Sequence, residues 1–227
     1  MLIPITEAST RQLIPAIATG PQYRYCWGKP QDFLRRLLIS VIVAVAALLA
    51  ETLAGVSGEI ALVVGILGGF FWWWAPIAIA AQRNYRLRRY RYAAFWEGEI
   101  VDLYRSQARI GTEETVNSQG RLVLIDKVET RVNLELLDEN DFELRLQVPI
   151  KNDYKKLRRG QLVQLLLFSN DPQLAKLEDY SDAYVPALDL WVSDYPYLSR
   201  EAFKFTSARL ISETEAARYD DRGRGRR

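Results

Sequence analysis

The chain contains no histidine and one cysteine, Cys26. Without imidazole there is no Ser-His-Asp triad, no Cys-His pair, no His-bound zinc and no His-ligated haem. Cys26 has no intramolecular disulfide partner and reads as a free thiol. Carboxylates, lysines, tyrosines and serines remain for acid–base or nucleophilic work. They fall in no recognisable motif: there is no P-loop, no dinucleotide glycine fingerprint and no nucleophile elbow. Glu178, Asp179 and Asp182 offer oxygen ligands for a cation, but they sit in an acidic, turn-rich stretch that reads as a solvated loop. No catalytic residue, metal site or cofactor is assigned, and the chain reads as non-catalytic.

The residues with the clearest pattern are apolar, aromatic and cationic. Leu37 to Ala50 and Ile60 to Ala81 carry no charge. The second run exceeds the roughly 20 residues that cross about 30 Å of hydrocarbon, and the first does so if it extends from about Leu34 to Val56. Glu51 then lies near the far interface; a functional intramembrane carboxylate is the alternative. The turn from Gly55 to Glu59 joins the runs into an antiparallel hairpin. Small residues recur at four-residue spacing: Ala46, Ala50 and Ala54 on the first helix, Ala61, Gly65 and Gly69 on the second. Such stripes let helices pack closely in lipid, here against each other or against a partner's helix.

Arg35 and Arg36 precede the first run, and Arg83, Arg86, Arg88, Arg89 and Arg91 follow the second. The turn has no Lys or Arg. The positive-inside rule therefore predicts cytoplasmic termini. Those five arginines, interleaved with Tyr85, Tyr90 and Tyr92, predict a juxtamembrane helix over residues 83–96 against lipid headgroups, each cation contributing roughly 1 kcal/mol near an anionic leaflet. Nucleic acid is not expected as a partner, because the segment abuts the span. Trp72, Trp73 and Trp74 point about 100° apart on a helix, so they cannot all face one neighbour. They form either an aromatic belt or a docking surface for a partner. Pro76 is expected to kink or end the helix.

Beyond Glu97 the pattern alternates with period two. A strand is predicted to open at Gly98–Leu103, and further strands at 121–128, 130–137, 142–149, 161–168, 187–192 and 203–211, with a turn at Asp138–Asp141. Six or seven short strands suggest a small barrel or sandwich, and LRRGQLVQLLLF follows an SH3-like or OB-like pattern. The expected fold is a membrane hairpin of two transmembrane helices plus a small all-β cytoplasmic domain. The expected divisions are an N-terminal interfacial segment (1–32), the hairpin (33–82), the basic aromatic segment (83–96), the β-domain (97–211) and a disordered tail (212–227). One short helix is expected around Glu7 to Ala18.

The succession RRLLISVIVAVAALLAE, FFWWWAPIAIAAQRNYRLRRYRY and a strand-rich domain resembles a family of small cyanobacterial membrane proteins with plastid relatives, some labelled phosphate transporter permease. The resemblance spans roughly residues 30–210. It implies a thylakoid protein that accompanies photosynthetic complexes, a photosystem or its assembly intermediate, as an accessory or assembly factor. The alternative is a subunit of a membrane transport system. Two close-packed spans would enclose no pathway of their own, since transporters build their sites from several helices.

Overall fold

The second apolar run does not form one helix. The computed structural model describes residues 1–116 and 119–224, with the backbone alone at 113, 116, 125 and 218–224. It has β1 (Leu2–Ile5), α1 (Glu7–Leu13), α2 (Gly20–Trp27), α3 (Pro30–Ala54), α4 (Gly58–Gly69) and α5 (Phe71–Arg88) in the first part of the chain. The axes of α4 and α5 differ by 71°. Among the described residues only α3 is long and apolar enough to cross a bilayer as a single helix. This corrects the expected hairpin of two transmembrane helices. The break falls at Gly68, Gly69 and Phe70, where two successive glycines weaken the helix. Pro76, the expected site of the break, lies buried within α5.

The limits of α3 follow from its ends. Pro30 occupies the first turn, where its missing N–H costs nothing, and the Lys29 N–H donates to Asp32 Oδ2 at 2.8 Å. Gly55, at φ 65°, closes the helix in the left-handed conformation that glycine adopts without a steric penalty.

The strands are β2 (Tyr92–Val116), β3 (Leu122–Leu137), β4 (Glu143–Pro149), β5 (Leu162–Ser169), β6 (Asp179–Tyr180), β7 (Ala183–Val185) and β8 (Leu190–Val192), followed by α6 (Arg200–Arg224). With β1 they make one antiparallel sheet of eight strands in the order β4-β3-β2-β5-β7-β8; β1 pairs with β2 and β6 with β5. The small barrel or sandwich is corrected to this large sheet. Two features hid it. β2 is 25 residues long and begins upstream of the expected boundary, with Ala94, Phe95 and Trp96 already buried. Residues 203–211 belong to α6: Phe203 and Ser207 are buried one helical turn apart, so the period is helical although the letters alternate. α6 continues through 212–224, the expected tail; residues 225–227 lie outside the described residues.

The core of the sheet gathers Trp96 and Ile100 from β2, Val132, Leu134 and Leu136 from β3, and Leu144, Leu146 and Val148 from β4. Val163, Leu165 and Leu167 from β5 join them, with Ala183, Val185 and Val192 from β7 and β8. Outward of Ala108 and Glu129, β2 and β3 pair only with each other, up to Val116 and Leu122. They form a two-stranded ribbon.

Contacts divide the chain into a sheet unit and a helical unit. The first comprises Met1–Ser9, Tyr90–Asp194 and the C-terminal segment from Arg200; the second comprises Thr10–Arg89 with Tyr195–Ser199.

Candidate functional site

The helical unit carries most of the residues that the sequence singles out, and its surface is unusual. On α3, Leu34, Leu38, Val41, Ile42, Val45, Leu48 and Leu53 are exposed; on α4, so are Ile60, Leu62, Val63, Ile66 and Leu67. Soluble monomers rarely expose apolar patches of this extent. At about 1.5 Å per residue, the 25 residues of α3 measure about 37 Å and the 12 of α4 about 18 Å.

α3 and α4 pack through small residues, in a register that spacing alone does not give. On α4, Ala61 is buried, and Gly65 and Gly69 face Ala47 and Ala44 of α3. The closest approach is at Gly68, where a Cβ would fall 2.1 Å from Val43 Cγ1. On α3, Ala47 is buried, Ala50 is half-buried, and Ala46 and Ala54 are exposed. The facing stripe is thus Val43, Ala44 and Ala47 rather than Ala46, Ala50 and Ala54. Both sets contain alanines at helical spacing, and only the packing distinguishes them. Glu51 is exposed, with its carboxylate beside Gly58 at the start of α4. A helix N-terminus favours negative charge there.

The three tryptophans divide as their directions require. Trp72 packs edge-on against Trp27 at 6.3 Å and Phe33 at 5.9 Å, and its backbone N–H donates to Ser40 Oγ at 3.0 Å. Trp73 is 54% exposed. Trp74 is also exposed; its indole N–H donates to the Leu67 carbonyl at 2.9 Å, which bridges the break between α4 and α5. Only Trp73 and Trp74 are available to lipid or a partner.

The arginines divide too. Arg36 is buried. Its guanidinium donates to the Cys26 carbonyl at 3.0 Å and to the Trp27 carbonyl, and it lies over the Trp27 ring at 5.3 Å. It therefore satisfies the terminal carbonyls of α2, a structural task beside any topological one. Arg83 lies over the rings of Tyr25 at 5.4 Å and Tyr195 at 5.0 Å. Arg88 donates to the Ile14 carbonyl at 3.3 Å. Arg86, Arg89 and Arg91 are exposed. The segment 83–96 is not one continuous juxtamembrane helix, since α5 stops at Arg88 and β2 starts at Tyr92.

Cys26 is a free thiol, half-buried. Burial pushes its pKa up, against the pull of Arg83, the Tyr195 hydroxyl and Arg36. Burial likewise raises Tyr195. A thiol kept protonated in this way is a weak nucleophile. One polar pair went unread in the sequence. Gln22 and Asn84, both fully buried, exchange amide hydrogen bonds at 3.1 and 2.9 Å. Gln22 also donates to the carbonyls of Pro196 and Tyr197. The i, i+4 spacing of Ala80 and Asn84 marks an inward face of α5, but nothing in the sequence matches Gln22 to Asn84.

Among the described residues no three acidic, cysteine or histidine side chains group as metal ligands. Glu178 instead accepts from Asn170 at 2.8 Å, and Asp182 is buried. These features define an apolar helical element with aromatic and cationic flanks, carried on the same chain as a long antiparallel sheet. The chain belongs to DUF8619, a family of unknown function, whose model matches residues 3–217. No curated protein and no solved structure matches it.

Proposed function

We propose that this protein is a non-catalytic membrane accessory factor. The helical unit inserts into a bilayer, and the sheet unit holds a partner on the cytoplasmic side. The observation that carries the reading is the apolar face of α3, exposed from Leu34 to Leu53, which water would penalise at roughly 25 cal/mol for each Å². β1 and β2 pair, Leu2 with Trp96 through Ile5 with Ala93. The chain between them must therefore enter and leave the membrane on one face. The arginines around this segment orient both ends to the cytoplasm by the positive-inside rule.

The partner is a larger membrane complex. Trp73 and Trp74 supply aromatic anchors of the kind that dominate binding energy. On the sheet unit, Leu122, Leu124 and Val128 are exposed at alternate positions of β3, on one face of the ribbon. The resemblance to cyanobacterial and plastid proteins points to the thylakoid and to a photosystem or its assembly intermediate.

The reading is tested by extracting membranes with a mild detergent, capturing the full chain and identifying what accompanies it by mass spectrometry. Photosystem subunits are the expected result. ATPase subunits of a transporter would replace this reading with that of a transport-system subunit. Complete release of the protein by alkaline carbonate would remove the membrane insertion altogether.

A further inference from the structure

A groove of about 560 Å³ opens in the helical unit, lined by Arg11 on α1, by Ala16, and by Ala81, Gln82, Tyr85 and Arg88 on α5. Ala81, Tyr85 and Arg88 stand at i, i+4 and i+7, so α5 presents them on one face. Ala16 and Ala81 are the small residues of its lining, so a longer side chain at Ala81 is expected to take up part of the groove. Its polar equipment is of one kind. Arg11, Arg88, Tyr85 and Gln82 are its polar residues, and no acidic residue is among its described lining. The guanidinium of Arg88 is held in place by its bond to the Ile14 carbonyl at 3.3 Å, and Ile14 itself is fully buried. A held guanidinium and a second arginine on one groove, with neutral polar side chains in the same lining, suit an oxyanion through charge-assisted hydrogen bonds. The floor is apolar, and Ile17 next to Ala16 is 72% exposed, which offers a surface to a hydrocarbon chain attached to that oxyanion.

We propose that this groove binds the anionic headgroup of a membrane lipid, a phosphate or sulfonate, between Arg11 and Arg88. The proposal rests on the membrane reading above and deepens it. The anionic lipid is held at one site, rather than only attracted by the basic flank of α5. A resident headgroup there would link α1 to α5 and fix the helical unit to an anionic leaflet.

The test uses the full chain in nanodiscs of phosphatidylcholine doped with phosphatidylglycerol, followed by re-solubilisation and quantification of the lipid that stays bound. Ala81→Leu takes up part of the groove without changing charge, and Arg11→Gln removes one cation from its rim. Each is expected to lower retained phosphatidylglycerol by roughly tenfold, the scale of one charge-assisted contact. The double variant Arg89→Gln/Arg91→Gln removes two charges outside the groove and is expected to retain it within about twofold, as screened surface charges allow. Equal losses in the groove and flank variants would overturn the site in favour of diffuse attraction. Unchanged retention in Ala81→Leu and Arg11→Gln would overturn it as well. Displacement of the bound lipid by inorganic phosphate at comparable concentration would assign the groove to the free anion and overturn the lipid source. Resistance to carbonate extraction, measured on the same variants, reports on membrane insertion separately, so failure of the groove and failure of insertion are distinguished.

Discussion

Gly68 is the residue on which the α3–α4 contact turns. A methyl group added there meets Val43 at its Cγ1 (2.1 Å) and at its Cβ (2.8 Å), so rotation of the valine does not relieve the clash. Gly68→Ala is expected to cost about 1–3 kcal/mol through overpacking. At Gly65 the nearest atom to an added Cβ is Ala47 Cβ at 3.7 Å. Gly65→Ala should be neutral or should stabilise, because alanine favours the helix by up to about 1 kcal/mol. Thermal unfolding of the detergent-solubilised variants checks this; the reverse order would displace the assigned contact. The tryptophans offer a second comparison. Trp72→Leu removes two aromatic contacts within the helical unit and should destabilise it by about 1–3 kcal/mol. Trp73→Leu should leave unfolding unchanged and instead weaken recovery of a co-purifying partner. If Trp72→Leu is silent and Trp73→Leu unfolds the protein, the division of roles is inverted. At this scale the residue types were legible and their partners were not. A glycine-rich stripe announces a close helix contact. Whether Gly65, Gly68 or Gly69 makes the closest approach depends on helix rotation, which periodicity leaves open by about 100° per residue. Arg36 reads as a topology signal because its carbonyl partners at the end of α2 depend on how the chain folds back.

The elements show why the sheet was only partly legible. Alternation located β4, where every second residue is buried, and β3 as two stretches, 121–128 and 130–137, of one strand; β5, buried on both faces, stood out as an apolar run. Alternation did not reveal that β2 runs on for 25 residues, because register shifts around Val101 and Ile110 move its side chains from one face to the other and interrupt the pattern. Nor did it place the start of β2. Ala93 to Trp96 follow directly on an arginine-rich stretch, and their burial depends on β1 and β5, strands distant in sequence. A soluble fragment starting at Glu97 therefore lacks the edge where Phe95 and Trp96 fill the core, and it lacks β1. It should show no cooperative unfolding by circular dichroism. A cooperative transition matching that of the full chain would mean that β1 and the start of β2 are dispensable. The ribbon of β2 and β3 behaves differently. A two-stranded hairpin is marginal alone in water, so backbone amides from Ala108 to Thr115 should exchange much faster than those of β5. Equal protection in hydrogen exchange would show that the ribbon is covered by a third element.

Across the whole molecule, the pairing of β1 with β2 constrains topology more strongly than any hydropathy pattern. Residues 2–5 and 93–96 share a sheet, and all of α3, α4 and α5 lies between them. However deeply α3 enters a bilayer, the chain must come back before Tyr92. The 71° bend turns α5 away from the axis of α4, while α4 packs on Val43, Ala44 and Ala47 of α3. The apolar runs and their arginine flanks were legible because hydropathy and charge are properties of composition. The bend was not, because two glycines in an apolar helix read equally well as a packing stripe. The consequence is testable with single cysteines in a Cys26→Ser background. Ala8→Cys lies just after β1, and Lys155→Cys lies between β4 and β5; both positions are exposed. A membrane-impermeant maleimide should label both from the cytoplasmic side of sealed vesicles and neither from the other side. Labelling of both from the opposite side would reverse the orientation that the arginines dictate and leave the β1–β2 pairing intact. Labelling of the two from different sides would require the chain to cross the membrane once between β1 and β2, which that pairing forbids.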